Sequence, residues 1–120
     1  MTFQRQSLGK KGEEIARKFL RRQGYTIIEH NFRTRNGEID IIAREGATLV
    51  FVEVKTRSDA RFGSPFEAVT TRKCKTISRV ALEYLLAHGG LDQPCRFDVV
   101  SVRPGENPEV EIVRNAFEIT

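Results

Sequence analysis

The chain has 120 residues, enough for one domain with its own core and too few for two ordinary ones. Hydrophobic residues at 39% and charged residues at 30% exclude a disordered chain, and the longest apolar run falls far short of a membrane span. Lys and Arg total 20 against 16 Asp and Glu, a formal charge of +4 that suits a polyanionic partner.

The first six residues lack the apolar core of a signal peptide, so a cytoplasmic location and no membrane association are expected. Cys74 and Cys95 have no neighbouring Cys or His at ligand spacing, nor do His30 and His88. The cysteines read as reduced, buried small hydrophobes, and a zinc site is not expected.

A first helix is predicted from about residue 7 to 23, closed by Gly24, with Leu8, Ile15, Ala16, Phe19 and Leu20 as its buried stripe. Gly12 falls in that stripe, where a missing side chain lets the helix approach a sheet closely. Glu13 stands at the edge of the stripe and has two readings: an acid favoured by the helix dipole, or a carboxylate leaning over the sheet. Residues 25–29 form a predicted strand, and 31–37 a turn containing the strong signal Asn36-Gly37.

The next stretch organises the rest. Residues 38–43 and 49–55 are rich in Ile, Val and Phe and flank a predicted turn at 44–47, which reads as a β-hairpin. Alternation puts Glu38, Asp40 and Ile42 on one face, and Leu49, Phe51, Glu53 and Lys55 on one face of the partner. With Ala43 opposite Thr48, Asp40 faces Phe51 and Glu38 faces Glu53, leaving Asp40 and Glu53 as diagonal neighbours about 7–8 Å apart. The other face, Ile39, Ile41, Val50, Val52 and Val54, is apolar. Clustered acids destabilise a hairpin, and Lys55 offsets only one of them. A divalent cation would offset the rest.

Residues 56–63 read as a basic loop on the same face, able to close over a substrate. Ser64-Pro65-Phe66-Glu67 combines a capping box with a first-turn proline and predicts a helix start. Thr70-Thr71 breaks it, and a longer helix follows, with Cys74, Ile77, Ala81, Tyr84 and Leu85 as core, ending at Gly89-Gly90. Strands are predicted over 96–102 and 110–113. The order α-β-β-β-α-β-β predicts an α/β sandwich: a mixed sheet of about five strands flanked by helices, in one domain.

Phosphodiester hydrolysis needs a divalent cation, an activated water and an offset for charge building on phosphorus. Mg²⁺ or Mn²⁺ takes hard oxygen ligands, which Asp40, Glu53 and the Val54 carbonyl can supply. Lys55, on the face of Glu53, can orient water or stabilise the transition state, and Glu13 or Glu38 could support a second ion. Lys10-Lys11, Arg57 with Arg61, and Arg72-Lys73 are candidate phosphate contacts, with a merely solvated face as the competing reading. Their spread over several elements fits recognition of nucleic-acid shape rather than of bases.

Gly12-Glu13, the run Asn36-Gly37-Glu38-Ile39-Asp40, the run Phe51-Val52-Glu53-Val54-Lys55-Thr56-Arg57, Phe62-Gly63, Lys73, Arg96-Phe97-Asp98 and Asn115-Ala116-Phe117 together resemble the YraN-like family of uncharacterised bacterial proteins. The resemblance covers nearly the whole chain. That family is similar to the PD-(D/E)XK nuclease superfamily, which has the restriction-endonuclease-like fold, and in layout to archaeal Holliday junction resolvases. The resemblance implies Asp40 and Glu53 as metal ligands, Lys55 as the catalytic lysine and Glu13 as the additional helix acid. Ile39 stands where the superfamily often has proline. A DNA endonuclease is therefore expected, acting on branched or structured DNA and as a homodimer if it makes paired cuts. A non-catalytic nucleic-acid-binding module with the same fold is the alternative, and a protein that docks through its basic loop is a third.

Overall fold

The computed structural model describes residues 2–57 and 70–118. Ala16 and Leu20, one turn apart on α1 (Thr2–Arg22), are fully buried, with Ile15 and Phe19 packed at the edge of the same stripe. The helix begins earlier than expected and ends where expected. Gly24 takes φ +97, a left-handed conformation free of Cβ strain, and the Tyr25 amide returns to the Leu20 carbonyl at 3.0 Å.

Five strands follow: β1 (Thr26–Thr34), β2 (Gly37–Glu45), β3 (Thr48–Thr56), β4 (Cys95–Arg103) and β5 (Glu109–Phe117), lying side by side in chain order. The first three form an antiparallel meander, β4 runs parallel to β3, and β5 returns antiparallel. A parallel neighbour needs a crossover, and α2 (Thr71–Ala87) lies within it. Thr70 caps this helix by accepting the Lys73 amide on its hydroxyl at 3.1 Å, and Gly89 and Gly90, both at positive φ, follow its end.

The helices cover opposite faces of the sheet. Beneath α1, Ala16, Leu20, Tyr25, Ile41, Val50, Val52, Val54, Val100 and Val102 form one core, and beneath α2, Phe51, Ile77, Val80, Tyr84, Leu85 and Phe97 belong to a second. Strands buried on both faces read as near-continuous apolar runs, as Leu49-Val50-Phe51-Val52 does. The expected α/β sandwich, its element order and its mixed five-stranded sheet are all present.

Three local expectations are corrected. The β2–β3 turn contains two residues, Gly46 and Ala47, because Glu45 pairs with Thr48; Ala43 then pairs with Val50 and Ile42 with Phe51. Arg44 and Glu45 are strand because Arg44 pairs with Thr26 and Leu49 and Glu45 with Thr48, and Arg96 and Arg114 hold the Glu45 carboxylate at 2.8 and 3.3 Å. Residues 31–34, expected as turn, continue β1 past an irregularity between Ile27 and Glu29. Ile39 leaves the apolar face expected of it and packs with the α2 core, while Ile41 packs with the α1 core. The helix start expected at Ser64 lies outside the described residues.

Candidate active site

The buried Glu53 and the partly buried Asp40 meet where β2 and β3 part. Their ladder runs from Glu45↔Thr48 to Ile41↔Val52, and continuing it sets Asp40 against Glu53 rather than against Phe51. From Ile41 to Glu45 the two-residue shift from the expected pairing keeps each side chain on its face, because strand faces alternate with period two. Ile39 and Ile41 point to opposite cores, so alternation breaks at Asp40. Its carboxylate leans across to β3, where Oδ2 accepts the Val54 amide at 2.8 Å.

Glu53 is 4% exposed and lies on the α2 face of β3. Its Oε2 is 3.4 Å from Lys55 Nζ, two residues along the strand, and 3.5 Å from Lys73 Nζ, in the first turn of α2. The capping bond from Thr70 fixes the turn that carries Lys73. Sequence reading took Lys73 for a phosphate contact only; its approach to Glu53 depends on where α2 docks.

Asp40 is the electrostatically unsettled member. Burial first, and then the neighbouring Glu53 charge, push its carboxyl up to about 8; the Val54 amide opposes the shift, while Glu13 and a hydrogen bond toward Glu53 add to it. Two adjacent carboxyls, largely removed from water, do not both ionise cheaply, and the ammonium groups of Lys55 and Lys73 sit against Glu53.

Glu13 stands beside this pair, on α1. Gly12 lets the helix approach: a Cβ there would lie 2.0 Å from Thr56 Oγ1 at the end of β3. The Glu13 Oε1 accepts Asn31 Nδ2 at 2.9 Å. Among the described residues, no three His, Cys, Asp or Glu side chains gather closely enough to hold one ion, so Glu13 flanks the Asp40–Glu53 pair rather than completing it. Glu38 is drawn away by an ion pair with Arg33. Asn31 carried no recognisable signal in the sequence beyond its type.

The expected phosphate-contacting residues fall on several elements. Lys10 and Lys11 are exposed on α1, and Lys10 lines a surface cleft with Gly9, Glu13, Asn31, Arg33 and Glu38. Arg57 follows β3, and Arg72 is exposed at the start of α2. Arg61 lies outside the described residues. Both cysteines are free and partly buried. Among the described residues no helix is long and apolar enough to cross a membrane.

A second polar cluster was not foreseen. Asp98, fully buried, accepts from Tyr25 Oη at 2.8 Å, Arg96 Nε at 2.9 Å and the Asn115 amide at 2.9 Å. Arg96 also reaches Glu45, which ties β2, β4, β5 and the end of α1 together. Asn115, at φ +53, bends β5 so that its amide can reach Asp98.

The chain matches the uncharacterised protein family UPF0102 over residues 12–102. The UPF0102 protein of Geobacter metallireducens is 49% identical over 120 residues, spanning 99% of this chain and 98% of the relative. That of Symbiobacterium thermophilum is 49% identical over 112 residues, spanning 92% and 95%, and that of Desulfosudis oleivorans is 48% identical over 118 residues, spanning 98% and 95%. With near-complete matches of this kind, and with Glu13, Asp40, Glu53 and Lys55 all inside the span of the family match, the chain belongs to the uncharacterised protein family UPF0102, the YraN-like family.

Proposed function

We propose that this chain is a metal-dependent endonuclease that hydrolyses phosphodiester bonds in DNA, with branched or structured DNA as its substrate class. The observation that carries the reading is the Asp40–Glu53 pair at the parting of β2 and β3, with Lys55 Nζ 3.4 Å from Glu53. The donor set fits Mg²⁺ or Mn²⁺: hard carboxylate oxygens, with Lys55 and Lys73 against Glu53 and the Val54 amide on Asp40. Asp40, Glu53 and the Val54 carbonyl would hold the ion, with Glu13 alongside. Such an ion neutralises developing charge and makes water more acidic.

The remaining work falls to the chain's own groups. Lys55 points a cation into the site from the same face as Glu53, placed to fix the attacking water or to stabilise charge on the phosphoryl oxygens. Lys73 reaches the same carboxylate from α2 and, with Arg72, adds positive charge on the substrate side. Lys10, Lys11, Arg57 and Arg61 would contact flanking phosphates, which fix register without reading sequence. Paired cuts in a four-way junction would require a twofold dimer.

The test is cleavage of duplex, single-stranded, flapped and four-way-junction DNA, and of RNA, with Mg²⁺ or Mn²⁺, by wild type and Asp40→Ala. Cleavage of one substrate that the variant loses supports the enzyme and names its substrate. Salt-dependent binding with no cleavage under either metal would replace it with the non-catalytic nucleic-acid-binding module.

A further inference from the structure

Asn31 lies inside a strand yet has φ +54. The left-handed region is unfavourable for residues with a Cβ, and Asn tolerates it better than most. Such outliers persist where the surroundings hold them, and they concentrate at functional sites. The register locates this one: His30 pairs with Ile41 and Phe32 with Ile39, so Asn31 stands on the rung of Asp40. That is also the rung at which alternation breaks on β2. Both strands depart from regular geometry at the same point.

The Asn31 side chain does not serve its own turn, as a left-handed Asn commonly does. It crosses to α1, where Nδ2 donates to Glu13 Oε1 at 2.9 Å. A carboxylate oxygen only accepts, so the amide nitrogen must face Glu13 and the carbonyl must face the other way. There Oδ1 is 3.2 Å from His30 Nδ1, whose N–H can donate to it and fix the amide orientation. His30, Asn31 and Glu13 thus form a chain of contacts that ends at the Asp40 side of the site.

We infer that Asn31 is a positioning residue of the active site, holding the Glu13 carboxylate in place beside the Asp40–Glu53 pair. The inference rests on the metal-site reading above. The distorted backbone brings the amide within reach of a helix acid that regular β geometry would leave unpartnered by β1. Because Glu13 flanks the pair, Asn31 can change metal affinity only through that carboxylate, so its removal should cost no more than removing the Glu13 charge itself.

Asn31→Gly separates this role from a structural one. Glycine adopts φ +54 without strain, so the variant keeps the backbone while losing the amide. Mn²⁺ binding would be measured by calorimetry for wild type, Asn31→Gly, Glu13→Gln and the double variant, with thermal unfolding of each. The expected result is Mn²⁺ binding weakened in Asn31→Gly by no more than in Glu13→Gln, an unfolding midpoint no lower than wild type, and a double variant no weaker than Glu13→Gln alone. Wild-type affinity in Asn31→Gly, or losses that add in the double variant, would overturn the inference while leaving the metal site standing. Absence of Mn²⁺ binding by the wild type would remove the metal site and the role of Asn31 together.

Discussion

Asp98 and Asp40 are both acids in the central strands of one sheet, and the protein treats them in opposite ways. Asp98 is fully buried, but its oxygens accept from Tyr25, from two nitrogens of Arg96 and from the Asn115 amide. Asp40 is less buried and receives the Val54 amide, while the charges nearest it are Glu53 and Glu13. A buried acid with a complete set of donors is part of the scaffold. A partly buried acid facing other acids lacks that full set of donors, which is what the proposed metal site rests on.

The largest expected effect tests the scaffold side. Asp98→Ala leaves the Tyr25 hydroxyl and part of the Arg96 guanidinium without their acceptor, and should destabilise the protein by about 3–5 kcal/mol in urea unfolding. The burial that pushes the Tyr25 hydroxyl's pKa up, with Asp98 reinforcing it, marks how closed this end is. Asp40→Asn should cost far less in the metal-free protein, because Asn stays neutral without taking up a proton on folding and keeps an oxygen for the Val54 amide. Equal losses would erase the contrast between the two acids.

Metal addition tests the other side. Mg²⁺ at about 100 times its dissociation constant should stabilise the wild type by about 2.7 kcal/mol, and chelation should reverse this. Glu53→Gln should lose that increment, while an Asp98 variant that still folds should keep it.

Taken per pH unit, the smallest effect is a pH slope. Asp40 titrates at about 8 in the folded protein against 3.8 in a free side chain, so between those values the folded state keeps a proton that the unfolded state has released. Raising pH through that window therefore favours unfolding. Metal-free protein should lose stability from about pH 4 to about pH 8, by at most about 1.4 kcal/mol per unit, and then level off. Asp40→Asn should flatten the trend in thermal scans, and a slope unchanged in that variant would place its source elsewhere.

Much of the site was legible because it depends on parity. The expected β2–β3 register was two residues out, yet Asp40, Glu53 and Lys55 still converged, since an even slip moves no side chain to the other face. The close approach at Gly12 was legible for a similar reason: a gap in the buried stripe of a helix has few other uses. Asn31 was not legible. Nothing in Asn31-Phe32-Arg33 announces a left-handed residue within a strand, because its conformation answers to Glu13, 18 positions earlier on another element. The same holds for Lys73, whose approach to Glu53 needed the docking of α2.

The sequence by itself determined the order of the elements and the face that carries Glu53 and Lys55, because these follow from local periodicity, capping and turn chemistry. Only the tertiary structure decided which polar groups are satisfied and which are left facing one another. Tyr25 and Asp98 lie 73 positions apart, and Asn31 and Glu13 meet only once α1 lies across the sheet. Hydrogen bonding and desolvation are settled by what finally lies within about 3 Å, and no local pattern in a chain records that.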